Sequence, residues 1–237
     1  MATDLDGTLV GDPEALSELI RYFEAQTYNI TLIYSTGRHL ASALSLIEQE
    51  ALPQPEILIT DVGTEIYERG KTPDSQWQEQ IEQSWYPEEI KKIASTIDGL
   101  IQQHVPSAHR VSFTVNSREP VTELAKRISE AGIPHELIYS SGIDVDILPP
   151  GCGKGAALEY LIQKHGWQDA NILVAGDSGN DKEMLTLGYP AVIVGNAQEE
   201  LRAVKDHPAI YCATRHCAGG IYEAWNYFHG TPSIITK

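Results

Sequence analysis

Between Met1 and Thr60 the sequence alternates short β-rich runs with segments of helical period. Asp12-Pro13 reads as a helix N-cap followed by a first-turn proline, and Leu16, Leu19, Ile20 and Phe23 recur at helical spacing behind it. Ile30 to Tyr34 is a short apolar strand, Leu40, Ala43, Leu44 and Ile47 restore the helical period, and Ile57-Leu58-Ile59 is a third buried strand. Strand, helix, strand, helix, strand with short connections predicts an α/β fold with a doubly wound, parallel, Rossmann-like sheet. The alternation breaks at Glu65 and returns at Lys154, with a helix predicted over 156–164, strands over 172–175 and 191–194, and helices over 197–204 and 220–228. The interruption holds Trp77 and Trp85, a helix predicted over 87–103 on Ile90, Ile93, Ile97, Leu100 and Ile101, a strand over 111–115, a helix over 121–131, and strands over 136–139 and 145–148. It reads as an inserted α+β domain, residues 67–148, near the small end for a domain. Residues 1–66 and 149–237 then form the core domain, with a loose tail from Gly230.

Two acidic turns stand out on this frame. Asp4-Leu5-Asp6-Gly7-Thr8 follows the first strand, and Gly176-Asp177-Ser178-Gly179-Asn180-Asp181 follows the strand predicted over 172–175. Carboxylates two residues apart on a Gly-containing turn project from a strand end. If both turns leave the same edge of one sheet, Asp4, Asp6, Asp177 and Asp181 converge. Like charges that close repel, most of all where the dielectric is low. A divalent cation relieves this, and hard oxygen ligands suit Mg²⁺. The plain alternative is a pair of solvated turns, which favour Asp, Gly and Asn in any case.

The rest of the composition excludes more than it selects. Seventeen Lys and Arg against 33 Asp and Glu leave a net charge of −16, which disfavours nucleic acid and anionic membranes as partners. Three cysteines, Cys152, Cys212 and Cys217, are too few and too odd in number for a disulfide framework and read as ordinary thiols. No apolar run approaches the roughly 18 residues of a membrane span, and no signal peptide is evident, so the cytoplasm is the expected location. Only Met1, Ala2 and Thr3 precede Asp4. The first strand is thus a stub, from a late start or an abbreviated chain, and is expected to fray.

The two acidic turns, with Ser35-Thr36-Gly37-Arg38 and Gly153-Lys154-Gly155 between them in order, resemble the haloacid dehalogenase superfamily of phosphotransferases. The Asp-x-Asp-Gly-Thr form is its phosphatase version. The resemblance makes Asp4 the nucleophile that forms an aspartyl-phosphate. It makes Asp6 the group that protonates the leaving oxygen and then deprotonates water, its backbone carbonyl also facing the metal. Thr36 and the Gly37 N–H would bind the phosphoryl oxygens, helped by the N-terminal end of the next helix, although Thr36 also suits a simple N-cap. Arg38 would hold substrate or an acidic neighbour. The Lys154 charge would offset Asp4 and the incoming phosphate, its flanking glycines allowing close approach to an anion. Asp177 would ligate Mg²⁺ directly, with Ser178, Asn180 and Asp181 acting through water or by orientation. Asp61, at the third strand end, would join the site or cap a turn.

Further segments narrow the resemblance. Tyr34 to Arg38, Val62 to Tyr67, Ser141 to Pro149, Asn196 to Leu201 and Cys217 to Ile221 are similar to sucrose-phosphate phosphatases of cyanobacteria and plants, a likeness running from residue 3 to about 229. That family implies Mg²⁺-dependent hydrolysis of sucrose 6-phosphate, with the insert as a cap over the sugar. Trp77, Gln78, Trp85, Arg110 and Ser112 are cap groups suited to a sugar, and Asp144 and Asp146, on one face of a strand, are stronger candidates, unless they only form a polar edge. Three other readings stand beside it. One is a related sugar phosphatase, such as one acting on mannosylfructose phosphate. Another is a silent phosphatase-like domain associated with a sucrose-phosphate synthase, with which an active enzyme could also associate. The last is a response-regulator-like phosphoacceptor, which the large insert argues against.

Overall fold

The computed structural model describes residues 1–230. The chain opens with β1 (Ala2–Thr3), α1 (Pro13–Glu24), β2 (Ile33–Ser35), α2 (Leu40–Gln49), β3 (Ile57–Thr60), a 3-10 turn (Asp61–Gly63), β4 (Glu65–Glu68) and α3 (Ser75–Glu82). There follow α4 (Pro87–Ala94), β5 (Ile101–Gln103), β6 (Val111–Thr114), α5 (Glu119–Glu130), β7 (Glu136–Ser140) and β8 (Asp144–Leu148). The last stretch is α6 (Lys154–His165), β9 (Val174–Gly176), a 3-10 turn (Gly179–Asp181), α7 (Lys182–Leu185), β10 (Ala191–Ile193), a 3-10 segment (Glu199–Ala203), β11 (Ile210–Cys212) and α8 (Cys217–His229).

The main sheet has the order β11-β10-β9-β1-β2-β3-β4, parallel throughout except for β3–β4. Helices cover both faces. One buried cluster sets α6 against Ala2, Ile33, Ile57 and Val174, and the other sets α1, α2 and α8 against Tyr34, Leu58, Ala175 and Val192. This is the doubly wound α/β core anticipated from the alternation. Strand order runs outward from β1 in one direction and from β9 in the other, so β1 and β9 flank the topological switch point. In open α/β sheets the crevice at the carboxyl ends there is where ligands bind.

The two-residue β1 is hydrogen-bonded on both sides. The Met1 ammonium donates to the Thr31 carbonyl at 2.7 Å, Ile33 N donates to Met1 O, and Ala2 N and Asp4 N donate to Leu173 O and Ala175 O. Asp12 caps α1 as anticipated, its Oδ1 accepting Ala15 N–H at 3.0 Å.

The insert carries a second, antiparallel sheet in the order β5-β6-β8-β7. Val111, Phe113, Val145 and Ile147 face α4 and α5, forming a third cluster with Ile90, Leu124 and Ile128. Period two turns Ser112, Asp144 and Asp146 to the opposite face.

Several elements differ from the sequence expectation. The helix predicted over 87–103 ends at Ala94; Gly99 turns the chain at φ +88°, and Ile101–Gln103 is an edge strand. The helix predicted over 197–204 is a 3-10 segment, and β4 and β11 were not anticipated. Glu65–Glu68 pairs with β3, so the expected division after residue 66 falls inside a main-sheet strand. Trp77 and Ile81 of α3 also pack in the main core. Trp77 is buried with Nε1 on Gly63 O at 3.0 Å, and Trp85 Nε1 donates to Ala108 O. Both indole N–H groups are bonded to backbone carbonyls, and neither residue lines the cavity described below. The tail, beyond Gly230, lies outside the described residues. Among the described residues no helix is long and apolar enough to cross a membrane.

Candidate active site

Because β1 and β9 pair in parallel, Ala2 opposite Val174 and Thr3 opposite Ala175, the turns that follow them leave the sheet side by side. Asp4, Asp177 and Asp181 are all buried there, each offering an oxygen within 4.8 Å of the others'. The approach is tight enough to require glycine. A Cβ on Gly7, whose φ is +79°, would lie 2.6 Å from Asp177 Oδ2. Thr8 Oγ1 donates to Asp177 Oδ1 at 3.0 Å, and Asn196 Nδ2 to Gly7 O at 2.7 Å, so each turn is braced by residues outside itself.

Lys154 sits behind these carboxylates, fully buried. Its Nζ lies 2.7 Å from both Asp4 Oδ1 and Asp181 Oδ1. The other Asp181 oxygen accepts Asp177 N–H and Ser178 N–H. Asp181 thus has both oxygens engaged and orients the turn. The glycines beside Lys154 have a different use from close approach to an anion. A Cβ on Gly155 would meet Glu183 at 2.4 Å, and a Cβ on Gly63 would meet the Gly153 carbonyl oxygen at 2.2 Å. They let the start of α6 close on its neighbours, and Gly155 N–H donates to Glu183 Oε2 at 3.2 Å.

Three carboxylates around one ammonium leave an excess of negative charge in a buried place. Burial, then the Asp181 and Asp177 charges, pushes Asp4 up to about 8 against the pull of Lys154. Burial and Asp181 push Asp177 up to about 6. Burial works against the Lys154 charge as well, but Asp181 and Asp4 together hold its ammonium above the usual lysine range. One oxygen of Asp4 and one of Asp177 carry no hydrogen bond among the described residues. Hard, mutually repelling carboxylates this close together fit a small divalent cation such as Mg²⁺. Asp6 is placed otherwise. Its side chain is exposed and forms a two-pronged pair with Arg38, Nε and Nη2 each at 2.7 Å, so its side chain is outside the carboxylate cluster.

The loop after β2 is gripped from behind. Val62 N–H donates to Thr36 O and Asp61 N–H to Arg38 O. To aim them, Asp61 and Val62 adopt left-handed backbone at φ +50° and +60°. For a β-branched valine that is strain, of the kind concentrated at functional sites. Thr36 Oγ1 accepts Arg38 N–H at 3.1 Å, whereas α2 is capped by His39. Thr36 therefore shapes the loop and is not the helix cap, and the helix N-terminus lies beyond Gly37.

The cap closes the other side. Arg110 Nε donates to Asp146 Oδ1 at 2.8 Å and to Ser112 Oγ at 2.7 Å, while its Nη1 crosses to the core and donates to Gly37 O at 2.6 Å. Gln103 Nε2 holds Asp144 at 3.1 Å. Asp61 is buried, pushed up to about 7 by desolvation, and 3.6 Å from Arg110. Asp4, Asp6, Gly37, Arg38, Asp144, Asp146, Asp177 and Asn180 all line one cavity of about 270 Å³, with Val62, Arg110, Ser140, Ser141 and Ser178. Thr36 and Lys154 stand behind this wall. A larger cavity of about 580 Å³ lies at the opposite end of β1, between Met1, Trp167 and Trp225. Its described lining contains no carboxylate, in contrast to the smaller one. Val62 and Ser141 had no signal as lining residues beyond the motifs that contain them, and Ser140 had none.

Residues 1–229 match the family described as sucrose-6F-phosphate phosphohydrolase. A probable sucrose-phosphatase 2 of Arabidopsis thaliana is 38% identical across the whole chain, which covers 61% of that protein. A mannosylfructose-phosphate phosphatase of Agrobacterium fabrum is 29% identical over 98% of the chain and 97% of its own length. The chain spans about three fifths of the plant relatives it matches. Among solved structures, the sucrose-phosphatase of Synechocystis sp. PCC6803, in complex with sucrose and phosphate, superposes with a TM-score of 0.90 at 35% identity, over 96% of both chains.

Proposed function

We propose that this chain, which belongs to the sucrose-6F-phosphate phosphohydrolase family, hydrolyses sucrose 6-phosphate to sucrose and phosphate. The observation that carries this is Asp4, buried at the switch point with one oxygen on Lys154 and the other free toward the cavity.

The free Asp4 oxygen attacks phosphorus. The new oxygen–phosphorus bond forms as the bond to the sugar oxygen breaks, and Asp6 delivers a proton to that oxygen. Asp6 then takes a proton from the water that attacks the acyl-phosphate, returning Asp4 to its carboxylate. Both Asp6 oxygens accept from Arg38 in the structure, so Arg38 has to turn aside first, and a phosphoryl or sugar oxygen is the natural new partner for its guanidinium. The Gly37 N–H receives a phosphoryl oxygen, Thr36 behind it shapes the loop that presents it, and Lys154 holds Asp4 in position. Asp4, Asp177 and the Asp6 carbonyl would hold Mg²⁺, with Asp181 orienting the turn. When bound, the ion withdraws charge from the phosphoryl group and lets it approach the carboxylates. Asp144, Asp146, Arg110 and Asn180 supply the polar groups for the sugar.

The Agrobacterium relative makes mannosylfructose phosphate the second reading. A phosphate-release screen with Mg²⁺ and EDTA controls, over sucrose 6-phosphate, mannosylfructose phosphate, glucose 6-phosphate and fructose 6-phosphate, separates them. The expected result is a kcat/KM for sucrose 6-phosphate at least about tenfold above the others. Equal rates on the hexose phosphates would overturn a disaccharide enzyme.

A further inference from the structure

The segment from Asn196 to Glu200 touches no part of the reaction as written, yet it grips both acidic turns. Asn196 Nδ2 donates to Gly7 O, and Gln198 N–H donates to Asp177 O at 2.7 Å. Glu200 does something further. Its Oε1 accepts Gly179 N–H, in the turn that carries Asp177 and Asp181, and the same oxygen accepts Ser141 N–H at 3.0 Å. Ser141 belongs to the cap, at the left-handed hairpin turn between β7 and β8. Cap and core meet closely here, since a Cβ on Gly179 would lie 2.9 Å from the Tyr139 carbonyl oxygen. On the far side of the cavity, Arg110 makes the corresponding link from the cap to Gly37.

We propose that Glu200 is a positioning residue that couples closure of the cap to ordering of the Gly176–Asp181 turn. One carboxylate oxygen shared by two N–H donors, one from each domain, holds both only when the cap is down. Withdrawal of the cap removes Ser141 and leaves Gly179 less constrained, and with it the backbone that aims Asp177. Charge-assisted bonds of this type are stronger than neutral ones, and closures that complete a site are a general means of committing substrate.

The test compares wild type, Glu200→Ala and Glu200→Gln by amide exchange at 139–142 and 176–181, with and without Mg²⁺. In Glu200→Ala, exchange at Ser141 and at Gly179 is expected to rise together by about tenfold or more, and the Mg²⁺ concentration that half-stabilises the protein is expected to rise. Glu200→Gln keeps an oxygen acceptor and is expected to recover most of both effects. Faster exchange at only one of the two amides, or a lower Tm with unchanged exchange at both, would overturn the coupling. A kinetic arm rests on the proposed function. KM for sucrose 6-phosphate is expected to rise several-fold in Glu200→Ala, with a smaller change in kcat on a small aryl phosphate. Should the wild type hydrolyse no sugar phosphate, that functional reading fails, and the exchange measurements still decide the role of Glu200.

Discussion

At the scale of single residues, the proton on Asp4 governs what the site can hold. A carboxyl whose folded pKa lies above its ordinary value keeps its proton longer in the folded chain, so ionising it costs stability. For Asp4 that window runs from about 4 to about 8, and for Asp177 to about 6. Stability of the metal-free protein should therefore fall as pH rises through this range. Mg²⁺ held by these carboxylates would displace those protons, so its stabilising effect would grow as they leave. The Tm increase from a fixed Mg²⁺ concentration is expected to be larger at pH 8 than at pH 5.5. Calorimetry with EDTA controls reads this directly, and a shift as large at the acid end would show that these carboxylates do not hold the ion. The same reasoning applies to Asp4→Asn. The amide is a neutral stand-in for a group the protein prefers uncharged, so the metal-free Tm at pH 8 should equal or exceed that of wild type. The Mg²⁺ shift should shrink, and turnover should fall by several orders of magnitude with the nucleophile gone. Near-normal phosphate release would exclude Asp4 from that role.

At the scale of elements, the turns that join strands to helices meet through glycine. Gly63 ends the 3-10 turn after β3 at φ +99°, and a Cβ there would sit 2.2 Å from the Gly153 carbonyl oxygen and 2.7 Å from Lys154 N. These are backbone atoms and cannot swing away. Gly63→Ala is expected to destabilise by about 3 kcal/mol or more and to displace Lys154, lowering activity in the protein that remains folded. Gly132→Ala, at a similar left-handed φ with nothing within 4 Å of the new Cβ, should cost only about 1 kcal/mol. Urea midpoints for the pair separate collision from backbone strain. The sequence made the flanking elements readable because their signals are local. Asp12-Pro13 caps α1, and apolar triplets mark β2 and β3. It failed where a local signal was overruled. The isoleucines from Ile90 to Ile101 keep a helical rhythm, but Asp98-Gly99 turns the chain. Trp77 reads as an insert aromatic, but its indole is drawn into the main core by Gly63. Asp4, Asp177 and Asp181 were legible as neighbours because each lies on a short turn at a strand end, whereas the Asp6 side chain turns out to Arg38. Arg110 on Gly37, 73 positions apart, and Glu200 on Ser141, 59 apart, were not. Such contacts exist only once the cap has docked.

At the scale of the whole molecule, the cavity is walled on one side by the core and on the other by the cap. Its volume of about 270 Å³ falls below the roughly 300–1,000 Å³ of most small-molecule sites, and a disaccharide phosphate carries two rings. A cap that withdraws to admit a molecule of that size must break the Arg110 link to Gly37 O. Re-forming that link on closure returns Gly37 to the position where its N–H can meet the phosphoryl group. Arg110→Lys keeps the charge beside Asp146 and Asp61 but cannot reach Asp146, Ser112 and Gly37 together, because an ammonium lacks the planar fork. The variant should fold with little change in Tm and favour the open cap, seen as a larger radius of gyration by small-angle scattering. KM for sucrose 6-phosphate should rise about tenfold. A small aryl phosphate, which needs no cap contact, should keep kcat/KM within a few-fold of wild type. Equal losses on both substrates would mean that Arg110 acts on the phosphoryl group itself and not on the closure that brings Gly37 to it.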